Sequence, residues 1–329
     1  MIIVTGAGGF IGSCIVSKLN EIGRDDIVIV DHLHDGLMPI DSSDVKSKNI
    51  ADKKFVKYFD KNEFIDLVVA NKIGYDIEAV IHMGACSSTT GLDEKYYREN
   101  NFEYTAKLAK WALKNKIRFI YASSAATYGD GALGYKDDVE TIRKCKPLNL
   151  YGRSKQKFDE WVLDNSVLDD VVGLKFFNVF GPNEYHKGDM RSVVSKAYKK
   201  VAEEGKIDLF KSYNDKYKDG EQKRDFIYVK DAVRVVMFFL QNMDIGGIFN
   251  VGTGEARAWN DLAKALFVAA GKSANINYVE MPESLRERYQ YFTQADMGHL
   301  RSVGYSDMFM SLEDAIKDYV EYLKNDLYL

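Results

Sequence analysis

The chain has 329 residues, 46% of them hydrophobic and 29% charged, with a formal net charge of -4. That length supports a large core, or one big α/β domain beside a smaller one, and the composition is that of a soluble globular protein. The acidic balance offers no basic field for nucleic acid or anionic lipid, and no apolar run approaches the ~20 residues of a membrane-spanning helix.

Cys14, Cys86 and Cys145 are too few and too widely spaced for a disulfide framework, which suits a reducing cytoplasm. The five histidines fall in no metal-ligand pattern, so no metal is expected. The chain opens on a strand without a charged leader and cleavage site, so no signal peptide is indicated.

Ile2-Ile3-Val4 reads as a strand buried on both faces. The glycines that follow, Gly6, Gly9 and Gly12, are spaced for a tight turn and a close backbone approach to a pyrophosphate. A helix from about Phe10 to Ile22, with Ile11, Ile15, Val16 and Leu19 at helical spacing, would then aim its first amides at the phosphates. The next strand, Ile27–Val30, ends in Asp31, placed to bond an adenosine ribose. A bare acid favours NAD by repelling a 2′-phosphate, whereas His32, His34 or a later lysine would offset it, so the cofactor stays open on these grounds.

Strands are predicted at Phe55–Phe59, Ala79–His82 and Phe119–Ala122, with helices around Asn62–Ala70 and Glu94–Asn115 between them. This alternation predicts an α/β fold, a Rossmann-like doubly wound parallel sheet. The segment from Met83 to Ser88 lies just past a strand end, on the side where such sheets bind ligands. His82 reads as a packed core histidine. Ser124, also past a strand end, can bond a substrate oxygen that changes between alcohol and ketone. Tyr151 and Lys155 share one helix face a turn apart, and an ammonium there favours phenolate, bringing proton exchange toward neutral pH. Together they form a Ser–Tyr–Lys set.

Val171–Phe177 reads as another buried strand, followed by Asn178, a polar loop to Asp189, and a helix from Arg191 to Glu204. Arg224 is the strongest phosphate ligand by the geometry of its fork. Phe226–Tyr228 and Asp231–Leu240 read as a strand and helix returning to the sheet. Phe249–Gly254 resembles a phosphate loop but lacks the spacing, so a structural turn is expected. Helices beginning at Trp259 and over Leu312–Leu323 complete the chain. Residues 1–177, with 224–250 rejoining them, are expected to form the nucleotide domain. Residues 178–223 and 251–329 are expected to make a smaller mixed α/β substrate domain, with ligand in the cleft between.

These motifs resemble the extended short-chain dehydrogenase/reductase family: TGAGGFIG at 5–12, the Ser124–Tyr151–Lys155 set, and RDFIYV at 224–229. Within it the chain is similar to the ADP-glyceromanno-heptose 6-epimerases of lipopolysaccharide core synthesis. That similarity rests on GACSSTT at 84–90, YASSAATYG at 121–129, PLNLYGRSK at 147–155, FFNVFGPNEYHKG at 176–188 and RYQYFTQAD at 288–296. The resemblance implies an isomerase that inverts C-6 of an ADP-heptose through transient oxidation by bound NADP. It implies Tyr151 and Lys187 as acid/bases, assisted by Ser124 and Lys155; His186, with a reference pKa of about 6.5, is a rival base on its own chemistry. It assigns the cofactor to Phe10, Ile11, Asp31, His32, Met83, Gly84, Ala85, Cys86, Ser87, Asn100, Lys155, Val179 and Lys187. Substrate falls to Ser124, Asn178, Asp189, Lys196, Phe210, Arg224 and Tyr289. It also implies a homo-oligomer, a pentamer. Members often carry a lysine near position 38 for the 2′-phosphate; here stands Met38, leaving Lys61 for that role. Related 4-epimerases, dehydratases and reductases are the alternative activity, and an inactive NADP-binding regulator is disfavoured by the intact Ser–Tyr–Lys set.

Overall fold

The computed structural model describes residues 1–33, 45–286 and 289–329. His34, Met38 and Arg288 lie outside them. Among the described residues twelve strands occur in chain order. They are β1 (Ile2–Thr5), β2 (Ile27–Asp31), β3 (Lys57–Asp60), β4 (Ala79–His82), β5 (Arg118–Ser124) and β6 (Val171–Phe176), then β7 (Asn178–Phe180), β8 (Ile207–Phe210), β9 (Lys223–Tyr228), β10 (Gly247–Val251), β11 (Ala256–Ala258) and β12 (Ile276–Val279). Seven of them form one sheet in the order β10-β6-β5-β4-β1-β2-β3, every pairing parallel. The expected doubly wound sheet is therefore present. Its central strands are buried on both faces, which is why Ile2–Val4, Ile27–Val30 and Ala79–Ile81 read as continuous apolar runs. Helices cover both sides; Phe10–Glu21 packs against Val229–Gln241 on one, and Lys61–Val69 against Tyr104–Lys114 on the other.

Three expectations change. Phe226–Tyr228 was expected to rejoin the main sheet. Instead β9 runs parallel to β7 and antiparallel to β11 in a separate three-stranded sheet, and only β10 rejoins, beside β6. The expected helix Glu94–Asn115 is interrupted by a π-helical turn at Arg98–Glu103 between Glu94–Tyr97 and Tyr104–Lys114. An extra residue in a helix leaves the apolar pattern readable on either side, so periodicity conceals it. The expected helix from Arg191 starts at Val193, because the Ser192 hydroxyl caps it by accepting from the Ser195 amide. β8 and β12 pair in a further two-stranded sheet. No helix among the described residues is long and apolar enough to cross a membrane.

Candidate active site

The first turn shows why it holds glycines. Gly6 adopts φ +67°, and a Cβ on it would stand 2.7 Å from the Gly84 nitrogen; one on Gly12 would stand 2.1 Å from the Gly6 carbonyl. The turn thus packs backbone on backbone, at distances no side chain tolerates. Gly9 caps the following helix without a side-chain hydrogen bond. Gly6, Gly9, Phe10, Ile11 and Gly12 line one wall of a cavity of about 740 Å³. These features fit a dinucleotide pyrophosphate.

Asp31, expected to bond a ribose, ends β2, and its oxygens already have donors. Oδ2 accepts from the Gly8 amide at 2.7 Å; Oδ1 accepts from the His32 amide at 2.7 Å and from Lys46 Nζ at 2.5 Å. Lys46 is a residue the sequence reading missed. It sits in a four-residue helix, Val45–Lys48, too short to leave a periodic signal. A smaller cavity of about 220 Å³ opens here, lined by Asp31, His32, Lys46, Lys61, Asn100 and the 84–86 loop. Lys61 donates to Asn100 Oδ1 at 2.8 Å, and His32 Nδ1 lies 3.0 Å from Asp60 Oδ2.

The π-helical turn has a local use. Asn101 within it receives the Cys86 amide on its oxygen, at 2.8 Å. Its nitrogen donates to the Cys86 carbonyl at 3.0 Å and to Ser154 Oγ at 2.9 Å. One side chain thereby ties the loop after β4 to the helix Leu150–Asp164. Met83, Gly84, Ala85, Cys86 and Ser87 all line the larger cavity. His82 lies outside it, between the hydroxyls of Thr5 at 2.6 Å and Thr105 at 2.8 Å, with burial lowering its pKa to about 3.

Ser124, Tyr151 and Lys155 meet on the same cavity. Asn149 caps their helix by accepting from the Gly152 amide at 2.8 Å, which puts Tyr151 in the first turn and Lys155 one turn on. Lys155 Nζ donates to the Ala122 carbonyl at 2.7 Å. Burial lowers its pKa to about 8, opposed by the charge of Asp159. Burial also raises Tyr151 above its ordinary value, while the nearby Ser124 hydroxyl pulls it down. Burial thus opposes the pull toward phenolate expected from the spacing to Lys155.

Lys187 lines the same cavity from the loop after β7. Glu184, fully buried, holds that loop by accepting from the Ser192 amide and hydroxyl, each at 2.6 Å, and from Tyr319 at 3.0 Å. Asn49 ties it to the glycine turn, donating to the carbonyls of Gly8 at 2.9 Å and Asn183 at 3.0 Å, and lying 3.2 Å from His186 Nδ1. Burial lowers the Lys187 pKa, with Glu184 opposing. Burial and the charges of Lys46 and Lys187 take His186 down to about 4.

The residues assigned to substrate divide. Ser124 and Asn178 line the cavity, as does Val179, assigned to the cofactor, with Arg191, Ser192, Val193 and Trp259, which the sequence reading did not single out as ligands. Arg224 is buried behind them, its guanidinium 5.9 Å from the Trp259 ring and 5.1 Å from the Tyr289 ring, donating to the Lys223 carbonyl at 2.8 Å. Tyr289 accepts from Trp259 Nε1 at 3.0 Å. Asp189 and Lys196 are exposed and joined to each other, Lys196 Nζ donating to the Asp189 carbonyl at 3.1 Å. Phe210 ends β8, and its carbonyl accepts from Gln222 at 3.4 Å. The 252–254 turn binds an internal anion: the amides of Thr253 and Gly254 donate to the Asp225 carboxylate at 2.7 and 2.9 Å.

Comparison with known proteins matches this architecture. Over 320 residues the chain is 51% identical to the ADP-L-glycero-D-manno-heptose-6-epimerase of Nitratidesulfovibrio vulgaris strain Hildenborough, covering 97% of each chain. It is 48% identical to the enzyme of the same name from Fusobacterium nucleatum, over the full length of both. The crystal structure of the Helicobacter pylori ADP-L-glycero-D-manno-heptose-6-epimerase superposes with a TM-score of 0.80 at 28% identity, covering 98% of this chain and 96% of that one. A model of the NAD dependent epimerase/dehydratase family matches residues 2–252, and the chain belongs to that family.

Proposed function

We propose that the protein interconverts the C-6 epimers of ADP-glycero-D-manno-heptose, using bound NADP. The observation that carries this reading is the meeting of Ser124, Tyr151 and Lys155 with Lys187 on the single cavity that also holds the glycine turn. One proton-transfer group serves only one placement of the C-6 oxygen, and C-6 sits on an exocyclic arm whose rotation moves that oxygen elsewhere. A second group at the new place avoids turning the whole sugar.

A dinucleotide held by the glycine turn, Asp31 and the 83–87 loop would supply reversible hydride transfer at C-6. Tyr151 exchanges the C-6 hydroxyl proton in one configuration, with Ser124 donating to the same oxygen. The Lys155 ammonium stabilises the phenolate as it forms. Lys187 exchanges the proton in the other configuration, and its lowered pKa suits it to both directions. His186, at about 4, is too weak a base for the role. Arg191 and the N-terminal end of Val193–Glu204 offer a charge and a helix dipole for the substrate diphosphate. NADP rather than NAD is favoured by Lys46 and Lys61, two ammonium groups against the one carboxylate of Asp31 in the ribose corner.

The test is incubation of purified protein with ADP-D-glycero-D-manno-heptose, following the C-6 proton by NMR. A mixture of both C-6 epimers, with no added cofactor consumed, is the expected result. Inversion at C-4, loss of water, or stoichiometric demand for reduced cofactor would assign a different member of the family.

A further inference from the structure

Behind the Ser–Tyr–Lys set lies an ion pair that the reaction itself does not use. Lys175 on β6 and Asp159 on the helix Leu150–Asp164 are both fully buried, with Nζ 2.5 Å from Oδ2. The same carboxylate accepts from Tyr121 OH at 2.9 Å and from Ser123 Oγ at 2.7 Å, both on β5. Lys175 Nζ also donates to Thr127 Oγ1 at 2.9 Å, and Thr127 donates onward to the Ser124 carbonyl at 2.8 Å. The Tyr128 ring lies 5.3 Å from the same ammonium.

Stability gives no reason for such a pair. Desolvating two charges offsets most of their attraction, and apolar residues of like volume commonly hold a core as well. Direction is what the pair supplies. An ammonium only donates, so Thr127 must accept from Lys175 and spend its single proton on the Ser124 carbonyl. A carboxylate only accepts, so Tyr121 and Ser123 must both donate to Asp159. Successive residues of a strand face opposite sides. Tyr121 and Ser123 therefore turn their hydroxyls to Asp159, while the side chains of Ala122 and Ser124 alternate to the other face. Lys155, one turn before Asp159, bonds the Ala122 carbonyl from the cavity side. The end of β5 is thus held at two points by one helix.

We propose that the Asp159–Lys175 pair is a positioning device for the reaction centre: through Tyr121, Ser123 and Thr127 it fixes the end of β5, and with it the Ser124 hydroxyl, against Tyr151 and Lys155. This rests on the epimerase reading only for its kinetic test. Asp159 has a second effect in the same direction, because its charge raises both Lys155 and Tyr151. Cys145, beside Lys175, and Asp137, near Tyr128, are the other titratable groups facing the cluster.

The test is the double variant Asp159→Asn/Lys175→Met, which removes both buried charges together and leaves neither unpaired. Cofactor content is expected to persist and KM to change little, while kcat falls by about tenfold or more, as misplacement of a reacting group does. The titration of Tyr151, read by difference absorbance against the same protein carrying Tyr151→Phe, is expected to move to lower pH. A double variant with wild-type kcat and an unmoved Tyr151 titration would overturn the proposal. If that protein fails to fold, Thr127→Val decides. It cuts the link from Lys175 to the Ser124 carbonyl and spares the ion pair, so a lowered kcat at unchanged KM supports the proposal and an unchanged kcat refutes it. Should the wild-type protein not act on ADP-heptose, the epimerase reading fails, while the Tyr151 titration still reports on the pair.

Discussion

Lys187 Nζ stands 5.0 Å from the centre of the Phe10 ring, so the loop after β7 delivers its ammonium to the first residue of the helix behind the glycine turn. The wall of the glycine turn and Lys187, the proposed second proton-transfer group, are thereby in contact. Lys187→Met is expected to reduce epimerisation by roughly 10²-fold or more, the scale of a lost general acid/base, with cofactor still bound. His186→Asn is expected to retain most of the rate, since a group at about 4 is neutral and feebly basic at the working pH. An active Lys187→Met beside an inactive His186→Asn would transfer the role to His186.

The pH profile carries the sign of the Lys155 shift. Its pKa is lowered to about 8, so the ammonium is complete below that pH and disappears as pH rises through it. The Lys155 contribution to kcat/KM, which reports the free enzyme, is expected to be constant below about 8 and to fall by about tenfold per pH unit above. Lys155→Arg keeps its charge throughout and should abolish that alkaline limb, at a lower plateau because the fork does not match an ammonium's place. An alkaline limb that persists unmoved in Lys155→Arg would assign it to another group.

Cofactor choice is expected to follow the two lysines of the ribose corner. A hydrogen bond to a charged group contributes about 1.5–3 kcal/mol, so Lys46→Ala and Lys61→Ala should each weaken NADP by roughly 10- to 100-fold and leave NAD nearly unchanged. Calorimetric titration of cofactor-stripped protein reads both. Equal losses for the two dinucleotides would remove the lysine concerned from contact with a 2′-phosphate.

The glycine turn gives a structural prediction. Gly12→Ala places a methyl 2.1 Å from the Gly6 carbonyl, where backbone has to move. Overpacking of this kind costs about 1–3 kcal/mol. A lower melting temperature and purification without bound dinucleotide are expected. Full cofactor content in Gly12→Ala would show that the turn tolerates the displacement.

Much of this was legible from local pattern. β1, its turn and the Phe10–Glu21 helix combine an apolar run, glycine spacing and helical periodicity within twenty residues, and the Tyr151–Lys155 spacing is itself a helix-face signal. What escaped depends on distant partners. β7 has three residues, and its strand identity comes from pairing with β9 some fifty residues on. The buried strand around Lys175 reads as simply apolar, and nothing local shows that Asp159 waits for its ammonium. The 252–254 turn looks like an anion loop because it is one, for Asp225. Arg224 was singled out by the shape of its guanidinium; its burial behind Trp259 is a tertiary fact.

The most direct measurement uses substrate deuterated at C-6, converted in ordinary water and followed by mass spectrometry and NMR. Transient oxidation in one cavity, with hydride leaving and returning to the same carbon, predicts that both epimers keep their full deuterium and that no free reduced cofactor accumulates. Replacement of the C-6 deuterium by solvent hydrogen would contradict the account, because it would mean that a side chain removes the carbon-bound hydrogen as a proton.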